Sequence, residues 1–133
     1  MTTSSQIEIH NEWDIVHARQ TGREMAKELG FGTVDQARIA TAISELARNI
    51  YLYAKVGTIS IEICESIDTK SLKVVAADQG PGIQDIRQAM EDGYTTSGGL
   101  GAGLPGVKRL MDDFDVISDP GKGTKITALK YLR

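Results

Sequence analysis

The chain has 133 residues, room for one domain, and its 41% hydrophobic and 25% charged residues are the mixture of a folded globular protein. Fifteen Lys and Arg against 18 Asp and Glu leave a net charge of −3, which offers no broad basic field for nucleic acid. No apolar run approaches the roughly 20 residues that cross a bilayer, Met1–His10 lacks a signal-like segment, and one cysteine, Cys64, excludes an internal disulfide, so a cytoplasmic protein without membrane attachment is expected.

Gln6–His10 alternates Ile7 and Ile9 with polar neighbours, which predicts a short strand. Asn11 stands three residues before Asp14, an N-cap pattern. Trp13, Val16, Met25 and Leu29 then recur at helical spacing until Gly30 and Gly32 stop the helix. A second helix opens at Thr33, with Gln36 at capping-box spacing, and extends to Ala54. Ala40, Ile43, Ala47, Ile50 and Ala54 form its buried stripe. At about 100° per residue, Glu45 and Asn49 stand about 40° apart and roughly opposite that stripe.

Thr58–Ile63 and Ser71–Ala77 alternate as strands of a β-hairpin around Asp68-Thr69-Lys70. Asp78-Gln79-Gly80-Pro81-Gly82 follows, then a short helical segment around Asp85–Met90 and a glycine-rich loop over Gly93–Gly103 that reads as mobile. Pro105 suits the first turn of a helix through about Asp112. Phe114–Ser118 and Lys122–Leu132 read as strands around an Asp119-Pro120-Gly121 turn. The order predicts an α+β fold over residues 1–133, a single domain with helices packed on one face of a mixed sheet.

Ten of the 14 glycines and all three prolines fall between Gly80 and Gly123, which marks that stretch as the candidate for close backbone approach to a ligand. Gly101-Ala102-Gly103-Leu104-Pro105-Gly106 matches G-x-G-x-x-G, but no strand precedes it, which argues against a dinucleotide fold. As a P-loop it fails, because Val107 stands where Lys is required and no Ser or Thr follows. A reading that uses more of the chain starts at Glu45-Leu46-Ala47-Arg48-Asn49, a carboxylate and a carboxamide on one helix face. Asp78-Gln79-Gly80-Pro81-Gly82 adds an acid at a strand end, Gly99-Leu100-Gly101-Ala102-Gly103 runs into a helix N-terminus, and Gly123-Thr124 opens the last strand. These are the parts of a nucleotide site: a metal ligand, an acceptor for a base amino group, a close-packed turn and a phosphate cradle.

Their order and spacing over Thr33–Leu132 resemble the GHKL (Bergerat-fold) ATPases and kinases, with their N box, G1 box, G2 box and terminal Gly-Thr. Within that family the short lid and the Glu-x-x-x-Asn box are similar to the anti-sigma-factor serine kinases. The stretches Glu12–Val16, Lys27–Gln36, Ser44–Ala54 and Thr95–Asp112 are similar to the switch kinases of the bacterial stressosome. The resemblance implies an α/β sandwich, an ATP- and Mg²⁺-dependent serine/threonine kinase, and roles for particular residues. Glu45 would orient or deprotonate the attacking hydroxyl, and Asn49 would hold Mg²⁺ bridging the ATP phosphates. Asp78 would accept from the adenine amino group, Gly80 and Gly82 would let the backbone pass the base, and Thr124 would reach adenine through water. Gly99, Gly101 and Gly103 would hold phosphate by bare backbone N–H groups.

Ile50 and Tyr53 depart from the family's usual Ala and His, so no third N-box residue is assigned, and Arg48, Lys108 and Arg109 are candidates for γ-phosphate charge only. His10 and His17 lack a phosphoacceptor context. The resemblance further implies STAS-domain antagonist and scaffold proteins (RsbS and RsbR types) as substrates, and a PP2C-type phosphatase (RsbU type) as the partner activated on release. The alternatives are an anti-sigma factor kinase that binds sigma directly, or a nucleotide-binding adaptor without phosphoryl transfer.

Overall fold

A computed structural model describes residues 4–80, 103–119 and 121–133. Strand β1 (Ser4–Ile9) leads into helix α1 (Glu12–Leu29), where Asn11 accepts the Asp14 amide and Asp14 accepts the Asn11 amide, the predicted reciprocal cap. Gly30 ends the helix in the left-handed region, its N–H donating to Ala26 and Lys27 carbonyls. The buried face is Ile15, Ala18, Gly22, Met25, Ala26 and Leu29. Trp13, expected on that face, is 80% exposed. It lies two residues, about 200° of rotation, before Ile15, which turns it to water.

Helix α2 (Thr33–Asn49) starts without the expected Thr33–Gln36 capping box. Gly32 is the cap, and the buried Gln36 amide donates instead to the Phe31 carbonyl at 2.8 Å. The expected continuation to Ala54 is a π-helical turn, Ile50–Ala54, closed by Lys55 N–H donating to the Ile50 carbonyl at 2.8 Å. Strands β2 (Gly57–Glu65) and β3 (Lys70–Asp78), helix α3 (Gly103–Leu110) and strands β4 (Asp113–Asp119) and β5 (Gly123–Leu132) complete the described chain.

The sheet order is β1-β2-β3-β5-β4, and all four pairings are antiparallel. The mixed sheet expected from the element order is thus antiparallel at each of these pairings. The reason is that β5 inserts between β3 and β4, which run the same way without touching. Alternate residues build one apolar face: Ile7 opposes Ile59, Ile59 opposes Ala76, and Ala76 opposes Ile126, all buried. The helices cover that face, as expected for α+β. The buried Lys130 ammonium donates to the Leu110 carbonyl at 2.8 Å, tying β5 to the end of α3.

Gly123 shows how tightly the sheet is closed at one end. Its φ is +96°, and an added Cβ would land on the Asp78 carbonyl oxygen and 3.0 Å from the Gln79 Cα. Gly121, at φ +79°, has nothing within 4 Å of that position. Gly123→Ala is expected to cost about 2–3 kcal/mol in urea unfolding, and Gly121→Ala only about 1 kcal/mol. Equal losses would count against the steric account.

Candidate functional site

The site lies at one end of the sheet. Ile9, Gly57, Asp78, Thr124 and Ser118 stand in register across all five strands. Asp78 and Thr124 share the strand parity of Ala76 and Ile126, so both belong to the helix-covered face. The sequence places them 46 positions apart; the β3–β5 ladder makes them direct partners. The Gly80 N–H donates to Asp78 Oδ1 at 2.9 Å, so that oxygen is already engaged. Oδ2 is the oxygen that this bond leaves over. The Ser118 hydroxyl donates to the Gly123 carbonyl at 3.0 Å and lies 2.9 Å from the Thr124 hydroxyl, fixing the side chain of Thr124. Sequence reasoning did not single out Ser118, whose role depends on strand register.

Helix α2 supplies the second part. Glu45, expected opposite the apolar stripe, is 2% exposed. Ala42 through Ala47 are all buried, because α2 packs against α1, α3 and the sheet and has little free face left along this stretch. Glu45 Oε1 accepts from Arg48 Nη1 at 3.0 Å, while buried Oε2 has no hydrogen-bond partner among the described residues. An orphaned buried oxygen of this kind costs about 1–3 kcal/mol. Arg48, one candidate for phosphate charge, pairs through Nη1 with this carboxylate.

Asn49 ends α2 one turn after Glu45, and the π turn that follows packs over the sheet end. A Cβ on Gly57 would lie 2.7 Å from Ile50 Cγ2 and 3.0 Å from Asp78 Cβ. A Cβ on Gly80 would lie 2.6 Å from Ala54 Cβ and 2.9 Å from its Cα. The close approach at Gly80 is therefore to this turn, and the two glycines bring the end of α2 down onto Asp78.

Gly103, the first residue of α3, is left-handed with φ +56°, and buried Leu104 and Pro105 follow it in the first turn. That geometry presents helix N-terminal N–H groups without an intervening side chain. Gly82, Gly99 and Gly101, the Asp85–Met90 segment and most of the glycine-rich loop lie outside the described residues.

The donor set fits ATP with Mg²⁺: an oriented carboxylate at the sheet end, a carboxamide oxygen on α2 for a hard cation, and the start of α3 for phosphate. Burial, together with the neighbouring Glu62 carboxylate, pushes the Cys64 thiol above its ordinary value, and hydrogen bonding to Asp113 raises the Tyr131 hydroxyl. Both belong to the outer face of the sheet, at the end away from Asp78, so neither serves this site.

Residues 34–132 match the family described as histidine kinase-, DNA gyrase B-, and HSP90-like ATPases. The serine/threonine-protein kinase RsbT of Bacillus subtilis is 67% identical over 133 residues, covering all of both chains. An anti-sigma F factor of Thermoanaerobacter is 33% identical over 121 residues, 86% of this chain and 83% of that protein. Among solved structures, one containing the RsbU and RsbW domains of a Mycobacterium tuberculosis protein superposes with a TM-score of 0.65 at 21% identity, covering 97% of this chain and 32% of that one. The mycobacterial sensor histidine kinase MprB gives a TM-score of 0.56 at 17% identity, with 96% of each chain covered, and both likenesses bear on the fold alone. By sequence, fold and length of match, the chain belongs to the histidine kinase-, gyrase B- and HSP90-like ATPase family, in its RsbT-type serine/threonine-protein kinase branch.

Proposed function

We propose that this RsbT-type kinase transfers the γ-phosphate of ATP to a Ser or Thr hydroxyl of STAS-domain proteins of the RsbS and RsbR type. Once released from them, it binds and activates a PP2C-type phosphatase of the RsbU type. The observation that carries the reading is buried Glu45, one carboxylate oxygen held by Arg48 and the other without a partner among the described residues, one helical turn before Asn49. In the transfer, the acceptor hydroxyl oxygen bonds to the γ-phosphorus and its proton passes to Glu45 Oε2. The bond from the γ-phosphorus to the bridging oxygen breaks, and ADP leaves with that electron pair. Asp78 Oδ2 selects adenine by accepting from its amino group, Thr124 supports that contact, and Gly103 with the start of α3 receives phosphate. Asn49 would hold Mg²⁺, which neutralises phosphate charge when bound.

Residues 1–133 act in this reading as one domain in the cytoplasm, supported by β1 pairing with β2 and α1 packing on α2. Partner switching then follows if STAS protein and phosphatase compete for one surface and phosphorylation lowers affinity for the first.

Incubation with labelled ATP, Mg²⁺ and a purified STAS-domain acceptor tests the reading. Label on the acceptor is expected; nucleotide binding without transfer would leave an adaptor. The 33% identity to an anti-sigma F factor favours one second reading, direct binding of a sigma subunit. Co-purification with sigma and not with STAS proteins or phosphatase would establish that instead. Asn49→Ala is expected to weaken ATP binding roughly tenfold or more with Mg²⁺ present and little without it. Equal loss in both conditions would remove Asn49 from the metal.

A further inference from the structure

The geometry points to Arg48 as a positioning residue that sets which oxygen of Glu45 receives the acceptor proton; the inference rests on the reading of Glu45 above. The Arg48 guanidinium could fork across both carboxylate oxygens, yet it engages one: Nη1 to Oε1 at 3.0 Å. Oε2 is left buried and without a hydrogen-bond partner among the described residues. A carboxylate held at one oxygen cannot swing its charge toward water, so the open oxygen keeps a single orientation. The pair lies three residues apart on one helix, so its spacing does not depend on a mobile segment. Glu45 is 2% exposed and Arg48 32% exposed, so the cation lies nearer solvent than the carboxylate.

Steady-state transfer to a purified STAS-domain acceptor separates these roles. Arg48→Ala is expected to lower kcat roughly 10–100-fold with KM for ATP changed by no more than about twofold. Arg48→Lys, which keeps the cation, is expected to recover most of that loss, and added guanidinium ion to restore part of it in Arg48→Ala. In a Glu45→Gln background, Arg48→Ala is expected to add no further loss, because its effect passes through Glu45. Arg48→Met retains the aliphatic stem and gives the same readouts should the alanine variant fold poorly.

Three results overturn the inference while leaving Glu45 as the proton acceptor. One is wild-type kcat in both Arg48→Ala and Arg48→Met. Another is a raised KM for ATP at unchanged kcat, which makes Arg48 a phosphate ligand. The third is an undiminished Arg48→Ala effect in the Glu45→Gln background. Wild-type transfer by Glu45→Gln alone would instead overturn the reading of Glu45, and the inference with it.

Discussion

Glu45→Gln is expected to lower phosphoryl transfer roughly 10²–10⁴-fold, the range that general-base assistance supplies, while ATP affinity stays within about twofold. Gln fills nearly the same volume and can still accept from Arg48 through its carbonyl oxygen. Its other end is then an NH₂ group, which donates where Oε2 accepts, so the incoming hydroxyl loses its proton acceptor. Stability is expected to change by no more than about 1 kcal/mol, since losing a buried ion pair is offset by removing a buried charge with one oxygen unfilled. Nucleotide titration, thermal unfolding and single-turnover transfer together check this. Loss of ATP binding in step with transfer would show that Glu45 builds the nucleotide site and does not take the proton.

Asp78→Asn is expected to weaken ATP binding by about 2–4 kcal/mol, roughly 30- to 1,000-fold. The Gly80 N–H dictates the outcome: it donates to Oδ1 at 2.9 Å, so the Asn carbonyl oxygen must take that position. The amide NH₂ then occupies the place of Oδ2 and faces the adenine amino group, donor against donor. Guanine presents a carbonyl oxygen at the corresponding atom, so the ratio of ATP to GTP affinity should fall further than ATP affinity alone requires. Competition of both nucleotides against a fluorescent ATP analogue measures it. An unchanged ratio would show that Asp78 does not read the base.

Much of this protein could be read locally. Asn11 and Asp14 specify the start of α1, Gly30 its end, and the alternation of Ile59, Ile61 and Ile63 the strand they occupy, because capping and side-chain periodicity involve neighbours in the chain. The family was legible for the same reason, since each of its boxes is a short run of residues. Arg48 stands three residues from Glu45, a helical ion-pair spacing visible in the sequence, but nothing local distinguished it from a solvated cation.

Trp13, grouped by spacing with Val16, Met25 and Leu29, faces water, because the side of α1 that meets the sheet is set by what it packs on. Asp78 and Thr124 become partners only when β5 inserts between β3 and β4. Gly80 accommodates Ala54, a contact between segments separated by two strands. The burial of Glu45, on which the proposed chemistry depends, required α1, α3 and the sheet to enclose α2. The elements, their ends and the family were legible in the residues alone, because dihedral preferences and short motifs act over a few positions. Tertiary structure decided burial, register and which carboxylate oxygen stays open, because those depend on atoms that the chain brings together from far apart.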